Sequence, residues 1–132
     1  MRIASTSEDK IIEKRIAITP EIAKKYITLG LEVSLSQNYG EHLGFKDNQY
    51  KEIGVNISNN EKEIIKNADV IVQLGLPSDD KIILIKENQI LIGILDPYNN
   101  KEKILNLTKK KINFFSLELL PRITRAQSMD IL

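Results

Sequence analysis

The end of the chain carries three residues whose types could together bind a ligand: Arg122, Gln127 and Asp130. Gln127 and Asp130 are three positions apart, so a helix would place both on one face. An amide side chain both donates and accepts hydrogen bonds, and a carboxylate accepts them, which suits a carboxamide such as that of nicotinamide. The alternative is structural. Thr124 and Gln127 would form a capping box, and Arg122 and Asp130 an ordinary ion pair.

Arg15 is a second candidate, because it stands just before a helix whose start is already capped. A guanidinium at that place could clamp a carboxylate or a nucleotide oxygen with two parallel hydrogen bonds. The same side chain could equally form a surface pair with Glu13 or Glu21. Spacing alone leaves both interpretations open.

Three further groups of residues have simpler explanations than catalysis. His42, the single histidine, lies in a loop between glycines, where an exposed histidine is as ordinary as a proton-transfer group. The pair Asp79-Asp80 could suggest a metal site, but carboxylates at a helix start complement the helix dipole. Lys109-Lys110-Lys111 similarly suits the negative end of a helix, with the amines in solvent.

The composition limits which classes of protein are possible. The chain has 132 residues, which suits one domain of the usual roughly 100 to 200 residues. A net charge of +1 gives no field that would attract nucleic acid, and the lack of cysteine rules out disulfides and thiolate zinc sites. No apolar run approaches the roughly 18 residues of a membrane span.

Apolar runs alternate with amphipathic stretches, which predicts repeated βα units around a mostly parallel open sheet with helices on both faces. Thr19-Pro20-Glu21 marks a helix start, and Gly30 marks that helix's end. The predicted strands are residues 2–5, 32–36, 70–74, 89–95 and 112–117. The other predicted helices are residues 47–53, one capped by Asn59 or Asn60 that ends near Asn67, one from Ser78 or Asp79 to Lys86, and one from Asn100 to Lys110.

A nucleotide-binding fold of this kind usually carries a glycine-rich phosphate loop, and the sequence shows none. Its six glycines form neither G-x-G-x-x-G nor the P-loop pattern. Any pyrophosphate would therefore be held by polypeptide beyond residue 132. The last residues also begin a helix without a cap, so we expect the sequence to be a fragment.

The segment 121–130, Pro-Arg-Ile-Thr-Arg-Ala-Gln-Ser-Met-Asp, resembles the nicotinamide-contacting loop of the proton-translocating NAD(P) transhydrogenase α subunit. Residues 13–20, Glu-Lys-Arg-Ile-Ala-Ile-Thr-Pro, resemble the opening of the same family, which includes alanine dehydrogenase. The resemblance runs through the whole chain, with the strand 70–74, Pro77 and the Leu-Glu-Leu-Leu segment 117–120 in the expected order. It implies a Rossmann-like or flavodoxin-like N-terminal domain over residues 1–120, followed by the nicotinamide-contacting loop and a helix start over 121–132.

The same resemblance implies a function. NAD(H) would bind this subunit, with Arg122 near the nicotinamide or Asp130, Gln127 bonding the carboxamide and Asp130 fixing the ring. NADP(H) would bind a partner, either the transhydrogenase β subunit or another NADP(H)-binding component. The NAD(H)-binding component is expected to form a homodimer at the cytoplasmic face of a bacterial inner membrane, with membrane contact made by the rest of the complex. The isolated fragment is expected to be inactive.

Two alternative functions remain open for this sequence. Alanine dehydrogenase binds and deprotonates its substrate with a lysine and a histidine, and those positions here read as Gly75 and Asp96. Both differences would remove the groups that amino-acid oxidation requires. A non-catalytic α/β binding module is the other alternative, because a fold alone does not fix a function.

Overall fold

A computed structural model describes residues 1–11, 13–94 and 100–116 of the chain. Strands and helices alternate along these ranges, as the sequence predicts. The strands are β1 Arg2–Ser5, β2 Glu32–Ser36, β3 Asn56–Ser58, β4 Val70–Val72, β5 Ile90–Gly93 and β6 Asn113–Ser116. The helices are α1 Pro20–Thr28, α2 Asp47–Glu52, α3 Glu61–Asn67, α4 Asp79–Ile82 and α5 Lys101–Lys109.

The described strands form one six-stranded sheet in the order β3-β2-β1-β4-β5-β6, and neighbouring strands are parallel. Ile3 of β1 lies opposite Val33 of β2 on one side and Val70 of β4 on the other. This is the strand order of a Rossmann fold. The strands β1 to β3 extend the sheet to one side and β4 to β6 extend it to the other, so the order of strands reverses between β1 and β4. Open sheets of this kind bind ligands at the carboxyl ends of the strands beside that reversal.

Helices cover both faces of the sheet, which confirms the predicted fold class. Ile3 faces the cluster that includes Ala23 of α1 and Tyr50 of α2. The next residue of β1, Ala4, faces the opposite cluster, with Ile64 of α3 and Leu107 of α5. Because alternate residues of a strand point to opposite faces, each central strand contributes apolar side chains to both layers.

Local signals set the limits of α1. The Thr19 side chain accepts a hydrogen bond from the Ile22 N–H at 3.3 Å, and Pro20 occupies the first turn, where its missing N–H costs nothing. The chain leaves the helix through Gly30, whose φ of +87° is the left-handed conformation that favours glycine. Both predictions are confirmed.

Strand β4 ends at Val72, two residues short of the prediction, and β5 covers Ile90–Gly93 within the predicted 89–95. Two other elements, β3 and α4, differ more. The sequence does not predict strand β3, because Asn56 and Ser58 have low strand propensity, and this strand forms by pairing with β2 at the sheet edge. Helix α4 ends at Ile82, short of the predicted Lys86. Beyond it the Ile85 N–H bonds to the Ile82 carbonyl three residues back, a tighter turn that lets both isoleucines be buried.

Candidate functional site

The three residues that the sequence singles out as a nicotinamide site, Arg122, Gln127 and Asp130, lie outside the described residues, and so does Asp96. The site described below is a polar cluster at the carboxyl ends of β1 and β4, the place where the fold itself predicts ligand binding. Its members come from the last residue of β1 and the segment after it, from the turn after β4, and from the loop after β2.

Gln73 lies at the centre of this cluster and is only 2% exposed. Its side-chain oxygen accepts from the Thr6 N–H at 2.7 Å, and the hydroxyls of Thr6 and Ser5 donate to it at 3.2 and 3.3 Å. Its side-chain nitrogen donates to the Thr6 carbonyl at 3.1 Å and to Glu8 Oε2 at 2.7 Å. One amide therefore joins the ends of two adjacent strands.

Tyr39 extends the cluster toward the loop that precedes α1. Its hydroxyl accepts from the N–H groups of Ala17 and Ile18 at 3.1 and 3.2 Å and lies 2.8 Å from the Ser5 hydroxyl. Since both lone pairs of the phenol are used and Ser5 donates to Gln73, the Tyr39 proton goes to Ser5. Burial raises the pKa of Tyr39 to about 12 despite these bonds. The Tyr39 phenol is therefore neutral at physiological pH.

Glu8 closes the cluster on the side of β4. Its Oε1 accepts from the backbone N–H groups of Leu74 and Gly75 at 2.8 and 2.9 Å, and its Oε2 accepts from Gln73. These distances are those of charge-assisted hydrogen bonds. The carboxylate thus fixes the turn that follows β4.

Lys81, on α4, brings a cation into contact with this cluster. Its ammonium donates to the Ser7 carbonyl at 2.9 Å and to the Thr6 hydroxyl at 3.2 Å, and it lies 3.4 Å from Glu61 Oε2. Glu61 in turn accepts from the Ser36 hydroxyl at 2.7 Å. The carboxyl ends of β1 and β2 are therefore linked to α3 and α4 by side-chain contacts.

Arg15 forms the surface pair that is one of its two sequence interpretations. Its Nε and Nη2 donate to the two carboxylate oxygens of Glu13, both at 2.9 Å. That hydrogen-bonded pairing raises the pKa of Arg15 and lowers the pKa of Glu13. His42 is exposed, and its Nε2–H donates to the Lys14 carbonyl at 2.7 Å. Neither side chain belongs to the cluster around Gln73.

The acid pair and the lysine run take structural positions. Asp79 and Asp80 open α4, and the Ser78 hydroxyl donates to Asp80 at 2.6 Å, which lowers the pKa of that carboxyl. Lys110 differs from the simple expectation of an amine in solvent, because it reaches the carbonyls of Ile82 and Ile83 at 3.4 and 3.3 Å. It thereby complements the negative end of α4.

This arrangement holds the segment after β1 in place beside the strand reversal. The N–H groups of Leu74 and Gly75 are bonded to Glu8, so they are not free to bind another anion, and the charge of Glu8 would repel a pyrophosphate placed beside it. Across residues 1–11, 13–94 and 100–116, no three histidine, cysteine or acidic side chains gather as a metal site would require. In the same ranges no helix has the length and apolar character to cross a membrane.

The sequence does not predict the roles of Glu8, Gln73, Tyr39 and Lys81. One signal could have found Gln73, since a polar residue at the end of the apolar run 70–74 needs a buried partner. Nothing in the local sequence marks Tyr39 or Glu8, whose partners lie 34 and 67 residues away along the chain.

Residues 5–132 match the family described as "Alanine dehydrogenase/PNT, N-terminal domain", and the chain therefore belongs to that family. Within the family, it is 39% identical to the first part of NAD(P) transhydrogenase subunit alpha of Rickettsia prowazekii and 37% identical to that of Rhodospirillum rubrum. Both comparisons cover 100% of this chain and 36% of the relative. Alanine dehydrogenase 1 of Staphylococcus aureus is 28% identical over 96% of the chain.

Solved structures give the same order of similarity. A transhydrogenase from Sinorhizobium meliloti superimposes with a TM-score of 0.91 and 33% identity, over 100% of this chain and 39% of that one. An L-alanine dehydrogenase superimposes with a TM-score of 0.83 over 89% of this chain, at 21% identity, which shows the shared fold. The chain spans little more than a third of the length of the two transhydrogenase relatives from Rickettsia prowazekii and Rhodospirillum rubrum.

Proposed function

We propose that this chain is the N-terminal part of the NAD(H)-binding subunit of a proton-translocating NAD(P) transhydrogenase. The observation that supports this most strongly is the 39% identity with a transhydrogenase α subunit over the whole chain, against 28% with an alanine dehydrogenase. The reaction would be hydride transfer between NADH and NADP⁺, coupled elsewhere in the complex to proton movement across a membrane.

In this proposal the nicotinamide of NAD(H) is held by Arg122, Gln127 and Asp130. Gln127 has the donor and acceptor that a carboxamide requires, and Asp130 has a carboxylate that accepts its N–H. The nicotinamide itself supplies the hydride chemistry, so the protein needs to position the ring rather than to move protons. The pyrophosphate would be bound by polypeptide outside this chain, which agrees with the Glu8 carboxylate lying beside the strand reversal.

A partner with bound NADP(H), a transhydrogenase β subunit or an equivalent component, completes the proposal. The NAD(H)-binding component would act as a homodimer on the cytoplasmic face of a bacterial inner membrane, with the membrane contact made by the rest of the complex.

The proposal is tested in the complete transhydrogenase by measuring hydride transfer between NADH and an NADP⁺ analogue. Gln127→Asn and Asp130→Asn should each slow transfer at least tenfold and leave the far-ultraviolet circular dichroism spectrum unchanged. Asp79→Asn, on the exposed start of α4, is the matched control and should transfer hydride at the wild-type rate. Near-normal transfer by both site variants would refute the proposed site.

Alanine oxidation separates this proposal from an amino-acid dehydrogenase. Gly75, at the position where the resemblance puts a substrate-binding lysine, has no amine to bind a substrate. The complete protein should therefore show no alanine-dependent reduction of NAD⁺. Measurable turnover with alanine would overturn the assignment.

A further inference from the structure

The turn after β4 binds a carboxylate in the manner of an anion site. Two consecutive backbone N–H groups, those of Leu74 and Gly75, point at one oxygen of Glu8, and the Gln73 side-chain amide points at the other. Successive N–H groups of this kind form concave sites that recognise anions. Three donors thus fill three of the roughly four acceptor sites of one carboxylate.

The surroundings of this turn also suit a small ligand. The turn lies beside the strand reversal, at the edge of the sheet where parallel α/β folds bind ligands. A Cβ built on Gly75 would meet no atom within 4 Å, so open space adjoins the turn. Lys81 holds the neighbouring Thr6 and Ser7 and adds positive charge nearby.

We propose that the turn Gln73–Gly75 is a binding site for a small carboxylate, and that Glu8 fills it as an intramolecular ligand. Because Glu8 is tethered only a few residues beyond β1, its effective concentration far exceeds that of a free anion. Free carboxylates therefore do not compete in the wild type. Bound in this way, Glu8 fixes the segment between β1 and α1 over the sheet edge, and removal of its carboxylate opens the site to a ligand of the same chemistry.

Chemical rescue of Glu8→Ala tests this inference, with acetate as the probe and the full chain as the protein. The melting temperature of Glu8→Ala should be below that of the wild type and should rise with acetate to saturation. At ten times the dissociation constant the gain should be about 5 °C relative to sodium chloride of equal ionic strength. The wild type should show no such gain. The amide resonances of Leu74 and Gly75 should shift with acetate in Glu8→Ala alone.

Two further variants keep the test decisive. Glu61→Ala also removes a half-buried carboxylate near Lys81, but that carboxylate does not occupy the turn, so acetate should have no specific effect. Glu8→Gln keeps the size of the side chain. When the new amide oxygen accepts from the N–H groups of Leu74 and Gly75, the new N–H₂ group faces the side-chain nitrogen of Gln73, and two donors then oppose each other. Glu8→Gln should melt below the wild type and gain nothing from acetate.

If Glu8→Ala is unfolded without ligand, acetate should restore its circular dichroism spectrum where chloride does not. The inference is overturned if neither acetate-dependent folding nor acetate-dependent melting is seen in Glu8→Ala. It is also overturned if the wild type and Glu61→Ala respond as strongly, or if Glu8→Gln is as stable as the wild type.

Discussion

Tyr39→Phe removes one oxygen atom from the centre of the described polar cluster and keeps the ring. Both Tyr39 and Tyr50 are fully buried, and their rings meet edge to face at 6.2 Å, a contact that phenylalanine would preserve. The change therefore isolates the hydroxyl. The N–H groups of Ala17 and Ile18, which fix the entry into α1, lose their acceptor, and the Ser5 hydroxyl keeps only its bond to Gln73.

The expected cost follows from this count of partners. A buried donor left without an acceptor costs about 1–3 kcal/mol, so two such N–H groups give a loss of about 2–6 kcal/mol. Tyr50→Phe is the matched control, because the Tyr50 hydroxyl serves only the Ile18 carbonyl, at 2.9 Å, among the described contacts. Its loss should be smaller, about 1–3 kcal/mol, because one buried group is orphaned instead of two.

Urea unfolding followed by circular dichroism measures both losses, and amide hydrogen exchange locates them. The amides of Ala17 and Ile18 should exchange faster in Tyr39→Phe than in Tyr50→Phe. A Tyr39→Phe variant that is as stable as the wild type, or more stable than Tyr50→Phe, would refute the view that this hydroxyl holds the loop.

The raised pKa of the Tyr39 hydroxyl predicts that the protein becomes less stable at alkaline pH. The pKa of Tyr39 is about 12 in the folded protein, because burial disfavours the phenolate, and about 10 in the unfolded chain. Between these values the unfolded state loses the proton first, so stability is complete below pH 10 and falls as pH rises toward 12. From pH 9 to pH 11 the wild type should lose about 1 kcal/mol more than Tyr39→Phe. An equal loss in both would contradict the assignment of this pKa.

Three further substitutions test other regions of the structure by urea unfolding. Gly30→Ala should lower the free energy of unfolding by about 1 kcal/mol, because φ at Gly30 is +87°. Gly75→Ala should lower it clearly less, because Gly75 has open space around it and no positive φ. Equal losses in the two variants would contradict the backbone argument. Leu107→Ala should lower the free energy of unfolding by about 2–5 kcal/mol, because this α5 side chain is fully buried against residues of the sheet and of α3. A smaller loss would contradict the packing of α5 on the sheet. Arg15→Ala should leave the free energy of unfolding unchanged within error, since its pair with Glu13 is exposed to solvent, and a measurable loss would show a buried role.

The sequence by itself determined most of the elements and the class of fold. Thr19, Pro20 and Gly30 fix the limits of α1 by capping and backbone freedom, which act within a few residues. The three residues of β4, Val70–Val72, are all apolar because both faces of a parallel sheet are covered. These signals are local or periodic, so they can be read without knowing which strands are neighbours.

The tertiary structure alone decided which strands pair and which polar groups meet. Strand β3 has little strand propensity of its own and exists because β2 offers its edge. Glu8, Tyr39 and Gln73 become partners only when the sheet places β1 between β2 and β4. A buried polar atom must find its hydrogen-bond partner wherever the fold brings one, and the distance along the chain carries no information about that choice.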